Sequence, residues 1–207
     1  VTILGVSELL YGDVSPAGRT IQTFYDSSYQ DQISIFDFGM RPGPSPFARP
    51  DCTNQDPSQC PNGTNPGRTY RFFTGTPVVP FGYGLSYSSF SYSVAASPTS
   101  DVLLNPLRDL INETLSRGHA FVSSIREDAG ASDVSWTDAV QYTVNVTNTG
   151  DVDADDVVLG FLTPPGAGTD GVPLKTLFGF ERVHVKAGET VQVFLYPTMT
   201  DFAQVRE

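Results

Sequence analysis

The chain has 207 residues, 39% hydrophobic and only 17% charged, with 19 Gly, 16 Pro, 14 Phe and 9 Tyr; that composition favours turns and short strands around an aromatic core and excludes wholesale disorder. The net charge is −11, with five basic and seven acidic side chains up to residue 100 and seven and sixteen after it. Such a surface repels phosphate backbones and anionic membranes, which argues against both as partners, and no apolar run nears the roughly 18 residues of a membrane span.

In chain order, residues 1–12 read as the last turns of a helix. Leu4, Leu9 and Leu10 mark an apolar side, Gly12 supplies a left-handed cap and Pro16 forbids continuation. This opening lacks the basic and small-residue signals of a secretory leader, and a helix beginning at residue 1 with an apolar side needs something to pack on. The start is expected to be a cut through a larger fold. Residues 19–25 alternate enough for a strand. Residues 26–69, rich in Pro, Gly, Ser, Asn and Asp, read as a long ordered loop in which Ile33, Ile35, Phe36, Phe38 and Met40 are candidate anchors. Apolar character returns at residues 70–73 and 77–81, before the turn Gly82-Tyr83-Gly84.

Residues 90–94 alternate as a strand. Asn105-Pro106-Leu107 opens a short helix with Leu107, Leu110, Ile111 and Leu115 on one face and Gly118 to close it. Residues 123–138 form a polar connector, and residues 140–147 are the cleanest period-two strand in the chain. Asn148-Thr149-Gly150-Asp151 is a turn and residues 156–162 a further strand. Residues 174–185 hold a third strand and room for a fourth; Lys186-Ala187-Gly188-Glu189 turns the chain into a strand over 190–195. Short strands between turn signals predict an antiparallel β-sandwich.

Cys52 and Cys60 are the two cysteines, eight positions apart in a Pro-rich stretch. A small disulfide ring is favoured over two free thiols, and a metal site lacks further ligands nearby, so neither metal nor cofactor is expected. Asn62, Asn112 and Asn145 head Asn-x-Thr sequons, which together with a disulfide point to secretion. Asn145 should be well exposed on its strand, since Tyr142, Val144 and Val146 take the opposite face. The acidic run from Asp151 to Asp156 fails as a calcium loop, since Asp156 and Leu162 stand where Gly and Glu are required; it reads as a solvated turn. No nucleophile elbow exists, and His119 and His184 read as structural.

At Gly67-Arg68-Thr69-Tyr70-Arg71-Phe72-Phe73-Thr74-Gly75 and Pro80-Phe81-Gly82-Tyr83-Gly84-Leu85-Ser86-Tyr87 the sequence resembles family 3 glycoside hydrolases. Leu9-Leu10-Tyr11-Gly12-Asp13 upstream, and Val144-Asn145-Val146-Thr147-Asn148-Thr149-Gly150-Asp151 and Leu177-Phe178-Gly179-Phe180-Glu181-Arg182 downstream, extend the resemblance over nearly the whole chain. Met40-Arg41-Pro42 looks more like the β-xylosidase branch. The resemblance implies a mainly β chain in which residues 1–84 end an α/β sandwich domain. Residues 85–207 would form a fibronectin-type-III-like antiparallel β-sandwich lacking its last strand.

It implies, further, the C-terminal structural portion of a secreted retaining exo-glycosidase acting on terminal β-xylosyl or β-glucosyl residues of neutral oligosaccharides. The nucleophilic Asp and acid/base Glu of such enzymes, about 5–5.5 Å apart, would lie on an N-terminal catalytic portion, the implied partner. No family catalytic residue transfers onto this chain. Asp133, in Ser132-Asp133-Val134-Ser135-Trp136, imitates the nucleophile's surroundings but stands in the polar connector. The competing readings are a non-catalytic extracellular glycan-binding or adhesion module, and a structural protein that kept only the fold.

Overall fold

A computed structural model describes residues 2–54, 56–96 and 141–202, together with Asn112 and Ser116, both helical and exposed. The rest of the expected helix over 105–118, the connector with Asp133 and Trp136, and His119 lie outside the described residues.

The chain opens with α1 (Thr2–Tyr11), capped by Gly12 at φ 81° as the sequence predicts. The expected strand over 19–25 does not form. Instead two isolated bridges, Arg19 to Gly84 and Phe24 to Val79, tie this segment to residues 79–84. The ladder cannot fill in between them, because Pro80 has no N–H to give and Gly82 turns the backbone left-handed at φ 80°. A Cβ at Gly82 would also lie 2.5 Å from Leu159 Cδ1, so that side chain would have to shift.

The expected loop over 26–69 holds more structure than its composition suggests. It contains α2 (Tyr29–Gln32), a hairpin of β1 (Gly43–Ala48) and β2 (Asn62–Asn65), and a 3-10 turn at Pro57–Gln59. Pro44 and Pro46 hide β1 from a propensity reading, yet a two-stranded ribbon is all edge and tolerates them, here with a register shift between Pro44 and Ala48. Of the five candidate anchors only Ile33 is buried; Ile35, Phe36 and Phe38 are 82%, 65% and 84% exposed.

Then α3 (Thr69–Phe72) leads to the strands β3 (Phe90–Ala96), β4 (Tyr142–Asn148), β5 (Ala154–Leu162), β6 (Thr176–Val185) and β7 (Thr190–Leu195). Residues 174–185 thus hold one ten-residue strand and no fourth. The strands pair antiparallel as one sheet ordered β3-β4-β7 and another of β5 and β6. Val146 from β4, Val158 from β5, Val185 from β6, and Val193 and Leu195 from β7 form one buried cluster between them. Full burial of such side chains is worth about 1.5–3 kcal/mol each, so this seam holds the two layers together.

The turn after β4 is fixed by a fully buried Asn148. Its Nδ2 donates to the carbonyls of Val152 (2.8 Å) and Val185 (2.9 Å), and its Oδ1 accepts from the N–H of Gly150 (3.0 Å). That satisfied amide gives a physical reason for Asn at the head of the Asn-Thr-Gly-Asp turn.

Candidate functional site

The segment before β3 and the two sheets converge on one carboxylate. Counting back from Val158 by twos puts Asp156 on the inward face of β5, where it is 3% exposed. One oxygen pairs with the Arg19 guanidinium and the other accepts from the Tyr92 hydroxyl at 2.5 Å. Desolvation pushes the Tyr92 hydroxyl up to about 12, with the Asp156 bond and charge adding to it. A cleft of about 190 Å³ opens beside this junction between Arg19, Gly84, Ser88, Phe90, Tyr92 and Asp155. Asp156 is therefore not part of a solvated turn, which corrects the reading of the acidic run.

An aromatic contact runs parallel to the junction. Tyr70 stacks on Phe81 at 4.3 Å between centroids, and Phe161 of β5 meets both edge-on at 5.7 and 6.2 Å. The Tyr70 hydroxyl accepts from the Leu177 N–H at 3.3 Å, and the Leu174 N–H donates to the Arg71 carbonyl at 2.7 Å. The Gly67-to-Gly75 motif thus supplies the Tyr70 side chain and the Arg71 carbonyl that tie it to β5 and to the start of β6. Gly67 is dictated by geometry: it sits at φ 87°, and a Cβ would lie 2.0 Å from the Phe72 carbonyl oxygen.

The opposite side of the same segment is uncovered. Val6 and Leu9 of α1, Val14, Phe24, Val79, Tyr83 and Leu85 line a mostly apolar groove of about 900 Å³, with Glu8 and Arg182 also lining it. Ile3, Leu10 and Ile21 nearby in sequence are 87%, 77% and 87% exposed.

Cys52 and Cys60 are joined in the structure, with Cα atoms 5.9 Å apart across the hairpin. Asn62 is exposed at the start of β2, and Asn112 is exposed. Asn145 is half-buried mid-strand on the face opposite Val144 and Val146, abreast of Ser93 and Gln192. His184 lies against Asp155, Nδ1 to Oδ1 2.7 Å, and Arg182 holds the other oxygen at 2.6 Å. The bonds from His184 and then Arg182 hold the Asp155 carboxyl below the usual carboxylate range. Among the described residues no group of three or more His, Cys, Asp or Glu is placed to hold a metal ion, and no helix is long and apolar enough to cross a membrane.

A second buried polar group escaped the sequence reading. Asp37 (6% exposed), Ser45 and Asn65 are buried together where the hairpin packs on the preceding loop. Ser45 and the Gly39 N–H hold the Asp37 carboxyl low, and Arg68 donates to the Asp37 carbonyl at 2.6 Å. Its only sequence signal is a lone acid inside the apolar run from Ile33 to Met40, which is weak. The Asp156 signal was stronger: a carboxylate in phase with an alternating strand.

No protein-family model matches the chain. The exo-1,4-β-xylosidase xlnD of Aspergillus awamori is 31% identical over 97% of this chain and 21% of its own length. β-D-xylosidase 1 of Arabidopsis thaliana is 31% identical over 91% of this chain and 22% of its own. Among solved structures, a GH3 exo-β-xylosidase in complex with a xylobiose aziridine probe aligns with a TM-score of 0.61 at 24% identity, over 96% of this chain and 22% of that one. That last likeness speaks for the fold alone. The chain spans about a fifth of the length of the curated relatives it matches, as a C-terminal portion would. In sequence the chain is similar over nearly its whole length to one fifth of these β-xylosidases, and in fold to the GH3 structure.

Proposed function

We propose that this chain is the C-terminal structural portion of a secreted retaining exo-glycosidase that releases terminal β-xylosyl, or β-glucosyl, residues from neutral oligosaccharides. The observation that carries this reading is the match of nearly the whole chain to one fifth of exo-β-xylosidases. Residues 1–84 close an α/β sandwich and residues 85–207 form a fibronectin-type-III-like sandwich that braces it. The apolar groove beside α1 is the face on which the N-terminal catalytic portion sits, and that portion supplies both carboxylates of the retaining pair. Asn62, Asn112 and Asn145 carry N-glycans.

The test is turnover of an aryl β-xyloside by the purified chain, with and without an N-terminal portion co-expressed. The chain alone is expected to be inactive and the pair active. Turnover by the single chain, abolished by Asp133→Asn, overturns the reading. A soluble, monodisperse chain that recruits no companion and retains glycans on an affinity column favours the binding-module alternative.

A further inference from the structure

We propose that the outer face of the β3-β4-β7 sheet is the bed of an N-linked glycan attached at Asn145, an inference that rests on the reading of the chain as secreted. Strand pairing sets Ser93, Asn145 and Gln192 abreast, with Ser91, Thr147 and Thr190 abreast on the same face. Phe194, 43% exposed, follows two residues beyond Gln192 and so shares that face. None of these side chains is charged, in a chain of net charge −11. Near the centre of this neutral patch stands the acceptor of Asn145-Val146-Thr147.

The amide is oriented for the role. Gln192 Nε2 donates to Asn145 Oδ1 at 3.1 Å. Asn145 Nδ2, the atom that takes the sugar, has no hydrogen-bond acceptor among the described residues. Attachment forms a bond from Nδ2 to C1 of a lipid-pyrophosphate-linked oligosaccharide, breaks the C1–O bond to the departing pyrophosphate and releases one Nδ2 proton. Oδ1 keeps its lone pairs, so the Gln192 bond survives. Phe194 is a diagonal cross-strand neighbour of Asn145, at a spacing of about 7–8 Å that an aromatic ring spans. It offers an apolar face to the first N-acetylglucosamine, while the Ser93 hydroxyl and the Thr147–Thr190 hydroxyl pair, bonded to each other at 2.8 Å, stand around it.

The test uses the complete enzyme secreted from a eukaryotic host. Glycopeptide mapping is expected to find Asn145 occupied. Hydrogen exchange of residues 190–195 is then compared in the secreted protein, after endoglycosidase trimming to a single N-acetylglucosamine, and in Asn145→Gln. Trimming should leave exchange unchanged, and Asn145→Gln should speed it about three- to tenfold, as loss of one stacking contact would. Phe194→Ser should give the same acceleration, with no further change when combined with Asn145→Gln. An empty Asn145, exchange in Asn145→Gln equal to the parent, or additive effects of the two substitutions each overturn the proposal. Aryl β-xyloside turnover by the same preparation reports separately on the glycosidase reading.

Discussion

Arg19 and Asp156, 137 residues apart in sequence, form an ion pair in which the carboxylate side chain is 4% exposed and the guanidinium 26%. Tyr92, from the other sheet, completes the arrangement. Three parts of the chain that share no backbone hydrogen-bond ladder are thereby held at one point. Removing one partner of a buried pair leaves the other desolvated and unpaired, which costs more than the pair is worth in itself. Asp156→Ala in the complete enzyme should lower the opening free energy around residues 84–92 and 154–158 by about 2–4 kcal/mol, reduced from the buried-pair range because Arg19 reaches water. Tyr92→Phe should cost about 1 kcal/mol. Hydrogen exchange measures both, and equal protection in parent and Asp156→Ala would remove the junction from the account.

Burial, with the Asp156 bond, pushes the Tyr92 hydroxyl up to about 12, above the 10 of a free tyrosine. Between those values the folded state holds a proton that the unfolded state has lost. The stabilisation is complete below about pH 10 and is lost as pH rises towards 12. Ultraviolet titration of phenolate absorbance should show a late component that is lost in Tyr92→Phe. A difference spectrum centred near 10 would contradict the placement.

Asp155 acts at the other end of the scale. Its folded value is depressed by His184 and Arg182, so its contribution is present above the ordinary carboxylate range and fades as pH falls through the lower, folded value. Its side chain is 29% exposed and its partners more so, which limits the effect to about 0.5–1 kcal/mol. Urea unfolding of parent and Asp155→Asn should differ at neutral pH and converge in strong acid. A gap that persists unchanged to the lowest pH would contradict it.

The Cys52–Cys60 bond closes a short loop, the cysteines standing eight positions apart. Closing so few residues removes about 2–3 kcal/mol of chain entropy from the open state. The paired Cys→Ser variant should therefore loosen the β1–β2 hairpin, seen as faster proteolytic nicking within residues 49–62, while the β3-to-β7 strands keep their protection. Loss of protection across those strands would show the ring to be coupled to the whole fold.

Much of the architecture was legible because it is periodic. The strands over 140–147 and 190–195 announced themselves by strict alternation, and Gly12 and Gly188 marked real turns at φ 81° and 75°. The β1–β2 hairpin was hidden because prolines and a register shift erase alternation, and because its stability comes from the disulfide and the buried Asp37, Ser45 and Asn65. The junction was hidden for another reason. Asp156 belongs at once to an acidic turn and an inward strand face, and the choice depends on Arg19, which no local pattern connects to it.

On the proposed reading, residues before β3 complete a larger α/β layer, while the strands from β3 onward hold a buried cluster of their own. Hydrogen exchange on the purified chain, alone and mixed with an N-terminal portion, tests it most directly. Fast exchange over residues 19–81 in the isolated chain, with slow exchange in β4 to β7, and protection of 19–81 on adding the companion, is the predicted result. Slow exchange throughout 19–81 without any companion would contradict the account and make the chain an independent module.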